Sequence, residues 1–212
     1  MAEQIAYTKN GKIEQFGRIC FYAGLLLELL IVILDKSSWI NPLEGQMFRV
    51  SFLLFACKLC VTKYSKKEWL AVLAAGFIAG LCYLSSDRDE AVRAVVFVAS
   101  MKGIDHKKAL RVVFYVTLTG MAVLAMLSLA GVLGEVWDAG AGYGIKEGSR
   151  RLCLGVGNRH ALPIMTWVLM TLGIYLFLDK MTPVHRILLG VMLVGVYAAT
   201  ITRTQSHIMA VT

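Results

Sequence analysis

The chain has 212 residues, 58% of them hydrophobic and only 17% charged, with a formal net charge of +8. Its apolar residues run in long blocks, which excludes an ordinary soluble domain and points to a polytopic membrane protein. The positive charge is not a nucleic-acid footprint, because Lys and Arg fall between the apolar blocks rather than on one face and no nucleic-acid motif is present.

Seven apolar segments follow in order, at about 19–34, 47–62, 69–84, 91–101, 112–133, 161–178 and 184–201. A helix crossing the hydrocarbon core needs about 20 residues. The fifth and seventh segments approach that length. The first three are slightly short and borrow flanks such as Tyr22, Trp39 and Trp69. The fourth is either a thin span or a half-crossing packed in protein. The polar first eighteen residues, Glu28 in the first block and the lack of a small-residue cleavage site read as an uncleaved anchor rather than a signal peptide. The terminal ITRTQSHIMAVT ends in an apolar, uncapped run that reads as the start of an eighth helix. The expected fold is therefore all-α. It is a transmembrane bundle of about seven helices plus the start of an eighth, with residues 1–212 forming one integral membrane domain of a longer chain.

The charges between segments orient the bundle. Lys9, Lys12 and Arg18 precede the first segment, and Lys63, Lys66 and Lys67 follow the second. Lys102, Lys107, Lys108 and Arg111 follow the fourth, and Lys180 and Arg186 flank the turn after the sixth. If every segment crosses, all of these share one side, which the positive-inside rule makes cytoplasmic. The expectation is a multi-pass plasma-membrane protein with a cytoplasmic N-terminus and an extracytoplasmic loop at 134–160.

Two features are read as structural. Cys57 and Cys60 have CxxC spacing but sit inside an apolar block with no second pair, so they read as small buried hydrophobes and no metal site is expected. Glu28 and Lys58 are charges within predicted spans. Such a charge costs roughly 2.5–3.5 kcal/mol at the bilayer centre, so it faces a bundle interior or water. Glu28 is either part of a substrate or proton path or a member of a structural pair with Lys58 or Arg93, and Lys58 can snorkel to the near surface.

The outer loop departs from the charge rule by carrying Arg150, Arg151 and Arg159. Gly140, Gly142, Gly144 and Gly148 oppose a regular helix there. Gly155-Val156-Gly157 is not a nucleotide loop, since no strand–helix unit surrounds it. Arg151, Arg159, Asn158 and His160 stand just before a helix, a combination suited to an anion. Arg203 follows the seventh segment and is expected on the same outer side as Arg151, where two guanidinium forks can converge on one phosphate group.

The residues Arg151-x-x-x-Gly155-x-Gly157, then a helix, then Thr200-x-Thr202-Arg203-Thr204, preceded by the basic helix start KGIDHKKALRVV, resemble the O-antigen ligase and polysaccharide polymerase superfamily of bacterial envelopes. The chain departs from that pattern at Asn158-Arg159-His160, where His-Pro-Asn is usual, and at Thr202, where serine is usual. The resemblance covers the N-terminal half of a typical member. It implies transfer of an undecaprenyl-diphosphate-linked glycan to a saccharide acceptor on the outer side of the membrane, without cofactor or metal. It assigns diphosphate binding to Arg151 and Arg203, supported by Gly155, Gly157 and Thr204, and names no catalytic residue; from their position before the helix, Arg150 and Arg159 are expected to bind the same diphosphate, with Asn158 and His160 supporting. The implied partners are a lipid-linked oligosaccharide, membrane lipids and other envelope glycan-assembly proteins. The competing readings are a transporter or permease that uses Glu28 and Lys58, and a non-catalytic membrane assembly protein. By this reading a chain ending at residue 212 is inactive by itself.

Overall fold

A computed structural model describes residues 2–138, 151–157, 161–177 and 182–200. The described residues form seven helices, one for each apolar segment: α1 (Ala2–Lys36), α2 (Glu44–Val61), α3 (Lys66–Ser86), α4 (Glu90–Ser100), α5 (His106–Leu129), α6 (Ala161–Phe177) and α7 (Pro183–Thr200). Between α5 and α6, a two-residue antiparallel ladder pairs β1 (Trp137–Asp138) with β2 (Arg151–Leu152). Among the described residues, three helical stretches are long and apolar enough to cross a membrane: Gly11–Lys36, Lys66–Ser86 and His106–Leu129. By length, α4 covers only about 16 Å at 1.5 Å per residue, against a hydrocarbon core of about 30 Å.

Two boundaries differ from the sequence expectation. The polar stretch before residue 19 is helical from Ala2, because it contains no proline and polar residues do not oppose a helix outside the apolar core. The fifth helix stops at Leu129 rather than 133. Gly131 takes the left-handed conformation at φ +72°, and the Val132 amide closes back onto the Leu127 carbonyl at 2.9 Å. This is the usual glycine-mediated helix ending.

The chain divides into two compact units. The first comprises Met1–Glu28 and Leu43–Ala109. Its core is a cluster of Phe21, Phe55 and Phe97, with ring centroids 5.1–6.1 Å apart. Gly24 lets α1 approach α2: a Cβ there would lie 3.0 Å from the Phe55 ring. Small residues at such crossings are how apolar helices pack without a hydrophobic driving force between them. A capping box starts α3, with the Ser65 amide donating to Glu68 at 2.6 Å and the Glu68 amide donating to the Ser65 hydroxyl at 3.3 Å. Lys102 completes the corner by pairing with Glu68 at 2.6 Å above the Tyr64 ring. The Tyr64 hydroxyl donates to the Ala99 carbonyl at 2.7 Å, and burial pushes its pKa above the usual phenol range.

Two sequence readings are corrected in this unit. Glu28 is paired with neither Lys58 nor Arg93. It accepts a 2.6 Å hydrogen bond from the buried Ser51 hydroxyl, whereas Lys58 donates to Thr62 and Arg93 pairs with Asp89. The helical register decides this, because Ser51 occupies the α2 level facing Glu28 and Lys58 lies two turns further along the same face. Cys57 and Cys60 are exposed, not buried. They continue the exposed stripe of Val50 and Leu53, on the side of α2 away from Phe55 and Lys58.

The second unit comprises Leu29–Pro42 and Leu110–Thr212. Here the last turns of α1 lie so close to α5 that a Cβ on Gly120 would collide with Ile33. Phe114 of α5 packs edge-on against Phe177 of α6 at 5.6 Å and lies over Gly173, where a Cβ would meet its ring at 3.4 Å, an ordinary contact distance. Val156, Ala161 and Leu162 form a buried cluster with Met121, Leu152 and Leu154 around it.

Candidate functional site

The segment from Arg151 to Gly157 is anchored by its backbone. Arg151 and Leu152 form β2, with Arg151 directly opposite Asp138 and Leu152 opposite Trp137. The chain then turns sharply. Leu154 and Gly155 both have positive φ, +49° and +76°, and the Val156 amide donates to the Cys153 carbonyl at 3.0 Å. Two successive left-handed residues inside such a hydrogen bond are the pattern of a type I′ turn, which suits a glycine at the second central position.

The far side of this turn is bonded to the end of α1. The Ser38 amide donates to the Gly155 carbonyl at 3.1 Å, and the Gly157 amide donates to the Lys36 carbonyl at 2.9 Å. Between them, Ser37 and Val156 form an antiparallel bridge. The Ser37 hydroxyl donates to the Leu34 carbonyl at 2.6 Å and accepts from the Trp39 amide at 3.1 Å, which ties off the last carbonyls of the helix.

The glycine pair thus has a steric reason. A Cβ on Gly157 would sit 2.8 Å from the Ser37 carbonyl oxygen. One on Gly155 would sit 3.0 Å from both the Leu124 carbonyl oxygen and the Ser128 Cβ. In each case the obstacle includes backbone, which cannot swing aside.

Below this anchored turn runs an apolar groove of about 550 Å³ between the end of α1 and α5. Leu30, Ile33, Ser37, Leu124 and Leu133 are among the residues that line it. Ser37, Leu124 and Leu133 also touch the glycine turn, so groove and turn are contiguous. On another side α7 packs beside β2, the strand that carries Arg151.

Of the residues expected at the site, Arg151 lies in β2 and Gly155 and Gly157 form the anchored turn. Arg150, Asn158, Arg159, His160, Arg203 and Thr204 lie outside the described residues, as do the loop glycines Gly140, Gly142, Gly144 and Gly148. Sequence reading missed Ser37 and Ser38, the partners of the glycine turn, and Asp138, which faces Arg151 in the ladder. A serine pair directly after a helix hints at capping, but nothing in its spacing names residues 155–157 as its partners. Among the described residues no group of His, Cys, Asp or Glu side chains is arranged to hold a metal ion. No protein-family model, curated protein or solved structure matches this chain.

Proposed function

We propose that the chain is a multi-pass membrane protein that binds a lipid-linked diphosphate at the outer face of the bilayer, as part of a glycan polymerase or ligase. In this reading all seven helices belong to the membrane bundle and the N-terminus is cytoplasmic. Arg151 and Arg203, with Arg150 and Arg159, grip the diphosphate. Gly155 and Gly157 hold the arginine-bearing segment in place, and Asn158, His160 and Thr204 support it.

The observation that carries the reading is the contiguity of an anchored, arginine-bearing turn with an apolar groove of about 550 Å³. A lipid diphosphate has the complementary form, an apolar chain joined to a doubly charged head. The groove suits the first isoprene units, and guanidinium forks suit phosphate oxygens because they bind in pairs and keep their charge at all physiological pH values. The packing of α7 beside β2 favours a joint role for Arg151 and Arg203, since Arg203 follows α7 by three residues. In glycan transfer the same cations would stabilise the diphosphate leaving group as the glycosidic bond breaks.

The test is binding of undecaprenyl diphosphate to the purified chain in nanodiscs. Saturable binding that weakens in Arg151→Ala and in Arg203→Ala supports the reading. Equal binding by wild type and both variants, at equal folded yield, removes it.

A further inference from the structure

The first unit contains a charged cavity, remote in sequence from the arginine turn and unused by the function proposed above. It has a volume of about 560 Å³ and is lined by Glu14 and Arg18 of α1, Lys58 of α2, Thr62 and Lys63 just beyond α2, and Lys102 just beyond α4. Four cations therefore face Glu14, with Glu68 engaged by Lys102 at 2.6 Å, an excess of two positive charges.

Lys58 is the informative member. Only 6% of it is exposed, yet its Nζ is held by a neutral group, the Thr62 hydroxyl at 2.8 Å, and among the described residues no carboxylate pairs with it. A buried ammonium served by one hydroxyl keeps most of its desolvation cost, and an anion relieves that cost. Close helix packing holds it there: a Cβ on Gly17 would lie 2.9 Å from Val61 and 3.1 Å from the Lys58 stem. In the membrane reading proposed above, on which this placement rests, Arg18 immediately precedes the apolar run of α1 and Lys63 follows the end of α2, so the cavity would open at headgroup depth.

We infer that this cavity is a binding site for a phosphate group, with Lys58 and Arg18 as its principal ligands. The phosphate belongs either to an anionic phospholipid of the adjoining leaflet or to a free phosphate compound. Lys63 and Lys102 supply the surrounding positive potential, and Thr62 orients the Lys58 ammonium.

The experiment follows the unfolding midpoint of the purified full chain in detergent during titration with short-chain phosphatidic acid, inorganic pyrophosphate or phosphatidylcholine. The wild type is compared with Arg18→Gln, Lys58→Met, Arg49→Gln and Arg151→Ala. Phosphatidic acid, pyrophosphate or both should raise the midpoint saturably, less so at high salt, and phosphatidylcholine should not. Arg18→Gln and Lys58→Met should each weaken the apparent affinity roughly tenfold or more, while Arg49→Gln retains it. A saturable rise that remains in Arg151→Ala and is weakened when Arg18→Gln is added to it separates this cavity from the outer site. A response to phosphatidic acid alone assigns the cavity to leaflet lipid, and a response to pyrophosphate as well assigns it to free phosphate compounds. Arg18 is exposed and its variant decides the matter even where Lys58→Met fails to fold. Absence of any saturable rise, or titrations left unchanged by Arg18→Gln, overturns the inference.

Discussion

The Ser38 amide donates to the Gly155 carbonyl at 3.1 Å, joining residues more than a hundred positions apart in the chain. With the Gly157–Lys36 bond beside it, this contact makes the end of α1 the fixed wall against which the arginine-bearing turn is set.

Alanine at either glycine tests that wall. Gly157→Ala places a Cβ 2.8 Å from a backbone oxygen, and Gly155→Ala adds a side chain at φ +76°. Each is expected to destabilise the chain by about 1–3 kcal/mol, and to weaken lipid-diphosphate binding although neither adds or removes charge. Unfolding midpoints and binding measured on the same preparations check this. Full stability in both variants would mean that the turn does not pack as described.

Loss of one charge-assisted phosphate contact should cost about 1.5–3 kcal/mol, which is roughly tenfold to a hundredfold in affinity. Arg151→Ala and Arg203→Ala should each fall in that range. Arg151→Lys should recover only part of the loss, because an ammonium is a point charge rather than a fork. Complete rescue by lysine would argue for a general electrostatic effect and against a clamp.

Topology is tested by labelling. In a background with the five native cysteines replaced, Gly144→Cys should react with an impermeant thiol reagent on intact cells and Lys67→Cys should not. Lys67 lies in the first turn of α3, and its replacement leaves the Ser65 cap in place. The opposite labelling pattern would invert the orientation and remove the outer diphosphate site.

The Ser65–Glu68 box should behave as one device. Ser65→Ala is expected to cost about 1 kcal/mol. Adding Glu68→Ala should cost less than the sum of the two single changes, because both belong to one reciprocal cap. A double-mutant cycle on unfolding midpoints measures the coupling, and strict additivity would show that the two hydrogen bonds form independently.

Glu28 separates the membrane-enzyme reading from the transporter reading. Its Ser51 bond at 2.6 Å makes it a link between α1 and α2. Ser51→Ala should lower stability by about 1–3 kcal/mol by leaving a partly buried carboxylate short of a donor, and Glu28→Gln should leave lipid-diphosphate binding unchanged. If Glu28→Gln alone abolished function while the arginine variants behaved as wild type, the transporter reading would replace the present one.

Hydrophobic blocks and the residues that end them were enough to locate the apolar part of each of the seven described helices, though not the polar first half of α1, because an apolar run of fixed length and a glycine or charge at its end act locally. The Arg151-x-x-x-Gly155-x-Gly157 spacing likewise drew attention to the segment before α6, but the type I′ turn there came only from the structure. The partners of that turn were not legible. Ser37 and Ser38 meet it only because α1 and α5 close on each other at Ile33 and Gly120, and such long-range proximity leaves no periodic trace in the sequence. The same reason explains the charges. The sequence identified Glu28 and Lys58 as residues requiring partners, but helix register and packing chose Ser51 for one and Thr62 for the other. Local chemistry in the chain determined where the helices and turns lie; which of them touch was decided by tertiary packing, since a contact depends on the faces that two distant segments present to each other.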